Sequence, residues 1–369
     1  MLIDCKAERF AGPIKQSAVE LQDGAFDELA RFLGSVFGGD TCRWRGSFEH
    51  WWTLNPAWNA SLPRGWLIRS NEGSIIAFTA NIPLSYVVDG EPGLCCATGC
   101  TAVDPGFRGL GLAKTVGREF LNQTHGDLLV GVDSTPPAFG LWRSLGMKAL
   151  DARWQRKRMQ IVADGYLLAS RLSTSAPPAG FLGRSAGHCL RLLLDSAAAL
   201  SRRSTSLTIE LIDGFNARDG GSVEACRASD AATFARRDVA TLNWLYFDTQ
   251  YVRRTRTVLV ARSGAEIAGY LVIKRWGRHS YQLLECRCRE ADPTIARQLL
   301  WAARDFARKV RAESIVVRPY TPMIEAAVPA LLSIPLEKPA MTYCYKFRAG
   351  KMNLRDWETG PGDGDLSVN

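Results

Sequence analysis

The chain has 369 residues, 46% of them hydrophobic and 22% charged, which is typical of a soluble globular protein and long enough for two domains. Its net charge of +9 is spread along the chain and favours anionic partners, but it does not choose among nucleotides, nucleic acids and acidic membranes. The ten cysteines lack zinc-ligand spacing and only four histidines accompany them, so no metal site is predicted.

The N-terminal stretch Met1–Arg9 is charged throughout and lacks the apolar segment of a secretory signal. No apolar run has the length of a membrane span. We therefore expect a cytoplasmic protein with free thiols. Residues 188–203 place leucines against arginines at helical spacing, which permits peripheral membrane contact but does not indicate it, since such stripes usually belong to interdomain helices.

The first half begins with an arm of residues 1–16 and a predicted helix, in which Phe26, Leu29 and Leu33 keep helical spacing. An aromatic-rich segment follows over residues 44–58, and we interpret its tryptophans as packing groups rather than as a stacking platform for a substrate. Two strands joined by a turn are then predicted from the alternation and turn residues of 65–82.

Residues 96–121 hold the most informative pattern. The apolar run Cys96–Val103 predicts a buried strand, and Asp104-Pro105-Gly106 ends it. From Leu110 onward apolar residues recur every fourth position, which predicts a helix with one buried face. Between them, the two glycines of Arg108-Gly109-Leu110-Gly111 would let a phosphate approach the unpaired amides of the helix start. Two glycines alone do not distinguish a pyrophosphate cradle from a plain turn.

Comparison with known nucleotide-binding motifs helps to distinguish a pyrophosphate cradle from a plain turn. The stretch has no P-loop Gly-Lys-Ser/Thr, and position 114 is Lys where a dinucleotide fingerprint needs glycine. Val103 to Ala113 instead resembles the acyl-CoA signature of the GNAT N-acetyltransferase superfamily, in its Arg-Gly-x-Gly-x-Ala form. Thr135 to Met147 resembles a second GNAT signature, with two departures: Thr135 replaces Asn, and Trp142 replaces a Tyr that often protonates the leaving thiolate. An indole cannot serve as that acid.

The resemblance implies an α/β fold with a mixed sheet (α+β) and transfer of an acetyl group from acetyl-CoA to a primary amine, with no metal. It further implies that backbone groups of Thr101, Ala102 and Val103 hold the pantetheine and the thioester carbonyl. Contacts to the co-substrate are likewise implied for a loop, a helix start and one aromatic residue: Arg108, Gly109, Leu110, Gly111, Leu112, Ala113 and Trp142.

The catalytic base is harder to place, because the strand Cys96–Val103 contains no carboxylate. Asp133 and Ser134 follow the next predicted strand, where the resemblance implies that the two strands diverge around the thioester. Both are candidate catalytic residues, with Asp133 as base or as a clamp for the acceptor. Glu49 is a third candidate, since its segment usually forms the acceptor wall in the family, although a solvated helix face is the favoured explanation for it.

The second half repeats the first. Leu259–Tyr270 resembles Leu67–Phe78, and a Trp-rich segment precedes each, which predicts an internal duplication. Where the first half has Gly-x-Gly, the second has Arg289-Glu-Ala-Asp-Pro293, so no pyrophosphate is expected there. The sequence thus predicts two GNAT-like domains in tandem. The proposed boundaries are 1–160 for the acyl-CoA-binding domain, 161–205 for a helical connector, 206–350 for a degenerate GNAT-like domain and 351–369 for a disordered tail.

The preferred hypothesis is an acyl-CoA-dependent N-acyltransferase. Tandem proteins of this kind resemble those of bacterial envelope and surface-polysaccharide pathways, which suggests a small-molecule amine or an amino sugar as acceptor. One alternative is FemAB-like aminoacyl transfer, which also pairs two GNAT domains but uses aminoacyl-tRNA. Another is a non-catalytic acyl-CoA sensor or scaffold, favoured by Trp142 in place of the acid. No nucleic-acid partner is expected, because no recognition motif accompanies the basic charge.

Overall fold

The computed structural model describes residues 17–131, 134–150, 158–164, 207–328, 333–336, 343–347 and 357–358, together with Leu192 and Ser196. Asp133, nearly all of the predicted connector, the N-terminal arm and most of the C-terminal tail lie outside the described residues. The described strands and helices are given below in chain order.

The strands of the first half are β1 (Val19–Glu20), β2 (Gly65–Arg69), β3 (Ile75–Val88), β4 (Glu91–Val103), β5 (Leu128–Gly131), β6 (Lys148–Ala149) and β7 (Arg158–Val162). Those of the second half are β8 (Thr208–Ile212), β9 (Cys226–Arg227), β10 (Phe234–Ala235), β11 (Arg256–Ser263), β12 (Glu266–Trp276), β13 (Ser280–Arg289), β14 (Ser314–Val317), β15 (Ser333–Leu336) and β16 (Cys344–Phe347).

The α-helices are α1 (Phe26–Phe37), α2 (Thr41–Phe48), α3 (Leu112–Asn122), α4 (Pro136–Ser144), α5 (Gly220–Glu224), α6 (Val239–Tyr246), α7 (Gln250–Thr255), α8 (Pro293–Lys309) and α9 (Pro322–Ala327). A π-helical turn, Glu49–Thr53, directly follows α2. The bounds confirm the predicted strand and helix around the first-half loop. Helix α9 ends at Ala327, because Val328 is extended, as is favoured for a residue that precedes proline.

The strands form two mixed sheets that repeat one strand order. The first sheet runs β1-β2-β3-β4-β5-β16-β6, with β10 added to β3; the second runs β8-β11-β12-β13-β14-β7-β15, with β9 added to β13. Each contains one parallel pair, β4 with β5 and β13 with β14, among antiparallel neighbours. The mixed α/β fold expected from the sequence is therefore confirmed.

Each sheet is completed by a strand from the other half of the chain. Strand β7 follows β6 in sequence but pairs with β14 and β15, with Ile161 opposite Ile315. Strand β16, near the C-terminus, pairs with β5 and β6, with Tyr345 opposite Val130. Because this exchange is reciprocal, neither sheet has its full set of strands from one half alone.

The two faces of the first sheet pack on different helices. Leu29 and Leu33 of α1 lie in one apolar cluster with Phe78 of β3. On the opposite face, α3 packs through Leu112, Val116 and Phe120, whose four-residue spacing places them on one side of the helix. The loop that precedes α3 is thereby held on the face opposite α1.

Contacts between the halves are extensive. Trp244 of α6 stacks on His50 of the π-helical turn, with 5.1 Å between ring centroids, and its Nε1 donates to the His50 carbonyl at 2.6 Å. Strand β10 pairs with β3, and Arg236 N donates to Ser85 O at 2.9 Å. Both halves contribute side chains to one apolar cluster, so they share a core. In the part of the chain that the structure describes, no helix combines the length and apolar character needed to span a bilayer.

Candidate functional site

The strands β4 and β5 diverge in the middle of the first sheet. Their parallel pairing runs from Cys95 opposite Leu128 to Thr98 opposite Gly131. Strand β4 continues to Val103 and remains paired with β3, where Ala102 faces Phe78. Beyond Thr98, therefore, the edge of β4 toward β5 has no strand beside it among the described residues. An exposed strand edge of this kind can bind an extended ligand through backbone hydrogen bonds.

A β-bulge marks the point of divergence. The β3–β4 register shifts between Phe78 and Ala80, and Cys100 adopts a φ of +48°, which is uncommon for a residue other than glycine. Thr79 Oγ1 lies 2.9 Å from Thr98 Oγ1 and 2.8 Å from Thr101 Oγ1, so three hydroxyl groups form one hydrogen-bonded cluster. The bulge thus combines strained backbone with a polar cluster in an otherwise apolar sheet.

The loop after β4 leads to the start of α3. Asp104 accepts a hydrogen bond from Gly106 N at 2.8 Å and so fixes the first turn. Gly109 and Gly111 have φ of +86° and +79°, in the left-handed region that favours glycine. A β-carbon built on either residue would have no atom within 4 Å. Glycine is therefore favoured here by the backbone conformation and not by a lack of space.

The backbone amides of this loop are available to a ligand. We call Arg108–Ala113 the cradle. From Gly109 to Ala113, the amide groups donate to no acceptor among the described residues, whereas Lys114 N already bonds to Gly111 O at 2.9 Å. Adjacent unpaired amides at a helix start form an anion-binding site, strengthened by the helix dipole.

Positive side chains surround the cradle. Arg108, Lys114 and Arg118 are exposed, and none of them forms an ion pair with a described residue. Leu110 is also exposed, so the loop surface is open to solvent. An arginine beside free amides can bind a phosphate through bidentate hydrogen bonds. The geometry therefore fits a phosphate-bearing ligand whose remainder follows the open edge of β4.

The side chains of Trp142, Thr98 and Ser134 lie close to Gly131, where β5 ends. A β-carbon built there would lie 3.4 Å from Trp142 Cδ1, 3.5 Å from Thr98 Cγ2 and 3.6 Å from Ser134 Oγ. Ser134 is therefore at the point of strand divergence, as predicted for a residue that follows β5. Its hydroxyl is the one polar atom of these three.

The remaining predicted site residues are placed differently. Trp142 is 2% exposed and packs edge-on against Phe120 under α3, with ring centroids 5.6 Å apart. Glu49 is exposed and lines a cavity of about 360 Å³ with Asp27 and Arg45. None of the residues that line this cavity belongs to β4 or β5. Asp133 lies outside the described residues.

Cys100 is a neutral thiol in this environment. Burial raises its pKa to about 12, and no described cation offsets that effect. The thiolate, not the thiol, is the nucleophilic form. Cys100 is accordingly a packing residue of the bulge.

The corresponding cleft of the second sheet is closed by the protein itself. Pairing of β13 with β14 ends at Gln282 opposite Val316, so β13 also has an edge beyond this point. There, the Tyr320 hydroxyl accepts from Cys286 N at 2.8 Å and donates to Cys286 O at 3.1 Å. At the start of α8, Asp292 accepts from Thr294 N at 2.7 Å. A phenol thus occupies the strand edge and a carboxylate occupies the helix start.

The second sheet also contains a buried charge cluster that sequence analysis did not identify. Both Glu285 carboxylate oxygens accept from Arg237 Nε at 2.9 Å, and Arg287 Nε donates to Oε1 at 2.6 Å. Tyr270 donates to Oε1 at 3.1 Å, and the Tyr246 hydroxyl donates to Oε2. Burial alone would raise the pKa of Glu285, but Arg237 and Arg287 lower it to about 2. The sequence pattern of the strand did not predict this cluster, because a single Glu in an apolar strand does not show which distant residues will pair with it.

Among the described residues, no group of three or more His, Cys, Asp or Glu side chains has the arrangement of a metal site.

Comparison with known proteins supports the fold. No family model matches the chain, and no curated protein matches its sequence. Solved structures do. A GCN5-related N-acetyltransferase from Anabaena variabilis matches with a TM-score of 0.56 and 12% identity over 90% of this chain and 73% of that one. A probable N-acyltransferase of unknown function from Enterococcus faecalis matches with a TM-score of 0.55 and 10% identity over 90% and 72%.

An N-myristoyltransferase from Saccharomyces cerevisiae, solved with myristoyl-CoA, matches with a TM-score of 0.51 and 10% identity over 98% of this chain and 91% of that one. At such identities the likeness establishes the fold alone. The chain has the mixed α/β fold of GNAT-type acyltransferases.

Proposed function

We propose that the chain is an acyl-CoA-dependent N-acyltransferase with its donor site at the cradle and the β4 edge. The supporting observation is the series of amides from Gly109 to Ala113, which donate to no described acceptor, next to a strand edge that no described strand covers beyond Thr98. In this proposal the amides and Arg108 bind the pyrophosphate. Backbone groups of Thr101, Ala102 and Val103 bind the pantetheine arm and the thioester carbonyl.

A bound acyl-CoA supplies a thioester, which an amine attacks directly. The protein must then orient the carbonyl, accept a proton from the amine and stabilise the leaving thiolate. Ser134 is positioned to donate a hydrogen bond to that thiolate, because its hydroxyl lies where β4 and β5 diverge and Trp142 offers no acid. Asp133, its neighbour in sequence, is the proposed base, and Glu49 is the less favoured candidate because of its placement beside Asp27 and Arg45.

The proposed organisation is two GNAT-like domains, with the donor site in the first. Closure of the second cleft by Tyr320 and Asp292 supports a single donor site. The proposed donor is acetyl-CoA. The proposed acceptor is a small amine or an amino sugar, and the resemblance to tandem proteins suggests a role in surface-polysaccharide synthesis.

A non-catalytic acyl-CoA sensor is the second candidate function. The specific observation in its favour is Trp142, a buried indole at the position where the related signature has a phenol. Both candidates require acyl-CoA binding at the cradle, so they differ only in turnover.

Calorimetric titration of acetyl-CoA tests the donor site. We expect binding by the native protein and loss of binding by an Arg108→Glu, Gly111→Glu variant. The control is Arg31→Glu, which reverses one exposed arginine as Arg108→Glu does, but on α1, on the opposite face of the sheet. Absence of binding by the folded native protein, with acetyl-CoA and with longer acyl-CoAs, would refute the proposal.

A screen of amines that follows free-thiol release then distinguishes enzyme from sensor. Thiol release that depends on one class of amine supports the transferase. Tight acyl-CoA binding without amine-dependent release across amino sugars, amino acids and polyamines supports the sensor.

A further inference from the structure

A cluster of unpaired positive charge lies at one end of the second sheet. We call it the basic end; its members are exposed cations at the end of β12, in the β12–β13 turn, at the end of α8 and at the end of α7: Arg254, Arg275, Arg278, Lys309 and Arg311. None of the five forms an ion pair with another described residue. They are independent of the cradle, which belongs to the first sheet.

Hydrogen bonds and strand pairing bring these segments together. Glu313 N, just beyond α8, donates to His279 O in the β12–β13 turn at 2.8 Å. Ser280 and Ser314 are opposite each other on β13 and β14, with 3.1 Å between their hydroxyl oxygens. The end of α7 joins them through β11, where Arg256 is opposite Lys274 of β12. Cations that are far apart in sequence therefore share one surface.

Two apolar side chains project from the same surface. Trp276, the last residue of β12, is 49% exposed, and Val310, just after α8, is 47% exposed. Arg275 precedes Trp276, and Arg311 follows Val310. Among the nearby carboxylates, Glu313 is buried, Asp305 lies beside Arg304 and Arg308 of its own helix, and Asp164 is half-buried, whereas Asp213, which follows β8, is exposed. The described cations at this end therefore outnumber the exposed carboxylates.

We propose that the basic end docks on an anionic lipid bilayer. Lysine and arginine next to a bilayer bind acidic headgroups, and tryptophan favours the boundary between headgroups and acyl chains. Exposed Trp276 and Val310 would insert at that boundary while the cations contact the headgroups. This would place the protein on the membrane surface as a peripheral protein.

The alternative anionic partner is a nucleic acid, and the side chains favour the bilayer. Trp276 could stack on a base, but Val310 has no aromatic face and gains nothing from base stacking. An aliphatic and an aromatic side chain that both project beside cations match the layered polarity of a lipid interface. The proposal does not depend on acyl transfer, so it can hold or fail separately.

Co-sedimentation of the whole protein with vesicles tests the proposal. The vesicles contain phosphatidylcholine alone or phosphatidylcholine with phosphatidylglycerol. We expect binding only to the anionic vesicles, and weaker binding as sodium chloride is added, because salt screens the headgroup attraction. The variants are Arg275→Gln with Arg278→Gln, and Trp276→Ala. Each removed cation should weaken binding about fivefold.

Matched controls keep charge and exposure constant elsewhere. Arg31→Gln removes an exposed, unpaired cation on α1, and Phe37→Ala removes an aromatic side chain of similar exposure, 52%, at the end of that helix. Both controls should bind anionic vesicles as the native protein does.

Equal sedimentation with neutral and anionic vesicles would overturn the proposal, as would equal losses in the controls and the basic-end variants. A basic end that binds tRNA or single-stranded RNA, and not vesicles, would overturn it in favour of a nucleic acid. Loss of vesicle binding in both basic-end variants, with circular dichroism unchanged, would establish it.

Discussion

The hydroxyl group of Tyr320 is hydrogen-bonded to both backbone polar groups of Cys286, accepting from N at 2.8 Å and donating to O at 3.1 Å. Cys286 lies on β13 beyond the point where pairing with β14 ends. The equivalent stretch of β4 has no such side chain among the described residues. One sheet therefore keeps an open edge for a ligand, and the other satisfies that edge internally.

Tyr320→Phe should destabilise the protein by about 1–3 kcal/mol, because it leaves two strand-edge groups without a partner. Urea unfolding would measure this as a lower midpoint. Tyr281→Phe is the control, since the Tyr281 hydroxyl makes no hydrogen bond with a described residue; its effect should stay within about 0.5 kcal/mol. If both variants unfold at the native midpoint, the Tyr320 contact contributes nothing to stability.

Glu285 should make the free energy of unfolding depend on pH in the acid range. Burial opposes its ionisation, but Arg237 and Arg287 hold its pKa at about 2, below the value of about 4.3 expected in the unfolded chain. A folded-state pKa that is lowered contributes stability above the unfolded value, and this contribution is lost as the pH falls toward 2.

Glu285→Gln should therefore flatten the loss of stability between about pH 5 and pH 2 and cost about 3–5 kcal/mol at neutral pH, since it removes the carboxylate that pairs with buried Arg237 and leaves buried Arg287 with Glu358 alone. Urea unfolding across this pH range is the measurement. Glu266→Gln, which removes an exposed partner of Arg289, should change stability by at most about 1 kcal/mol. An acid slope that survives in Glu285→Gln would contradict the assignment.

Gly111→Ala should weaken acyl-CoA binding about tenfold or more, because alanine resists a φ of +79° and would reorient the amides that follow. Titration calorimetry is the measurement. Gly146→Ala provides matched strain, since Gly146 has a φ of +94° and equally open surroundings but follows α4. Equal affinity losses in the two variants would show that strain, rather than the cradle, lowers binding.

Ser134→Ala should lower kcat at least about tenfold and leave the acyl-CoA Kd unchanged, if its hydroxyl stabilises the leaving thiolate. Assays of thiol release measure kcat, and calorimetry measures the acyl-CoA Kd. Ser144→Ala, on the surface of α4, should alter neither. A Ser134 variant with native kcat would remove it from the catalytic groups and leave Asp133 as the first residue to examine.

The strand, the glycine-containing loop and the helix around residues 103–113 were predictable because their determinants are local. Glycines at 109 and 111, a preceding strand and four-residue apolar spacing each act within a few residues of one another. The Tyr320–Cys286 contact was not predictable, because the two residues are 34 apart in sequence and neither belongs to a motif. The exchange of β7 and β16 between the sheets was not predictable either, because the sequence of a short strand does not specify which sheet it joins. The hydroxyl cluster around Thr79 could have been suspected from the sequence, because Thr79 is a polar residue in a strand that is otherwise largely apolar.

Trp244 should couple the unfolding of the two halves. Its ring stacks on His50 and its Nε1 donates to the His50 carbonyl, so it joins α6 to the π-helical turn of the first half. Trp244→Ala should cost about 3–5 kcal/mol through cavity formation, and Trp244→Phe about 1 kcal/mol through the lost hydrogen bond. Because the sheets exchange strands and share a core, we expect circular dichroism and tryptophan fluorescence to give coincident urea transitions in the native protein and in Trp244→Phe. Separate transitions in the native protein would show that the halves unfold independently despite the exchanged strands.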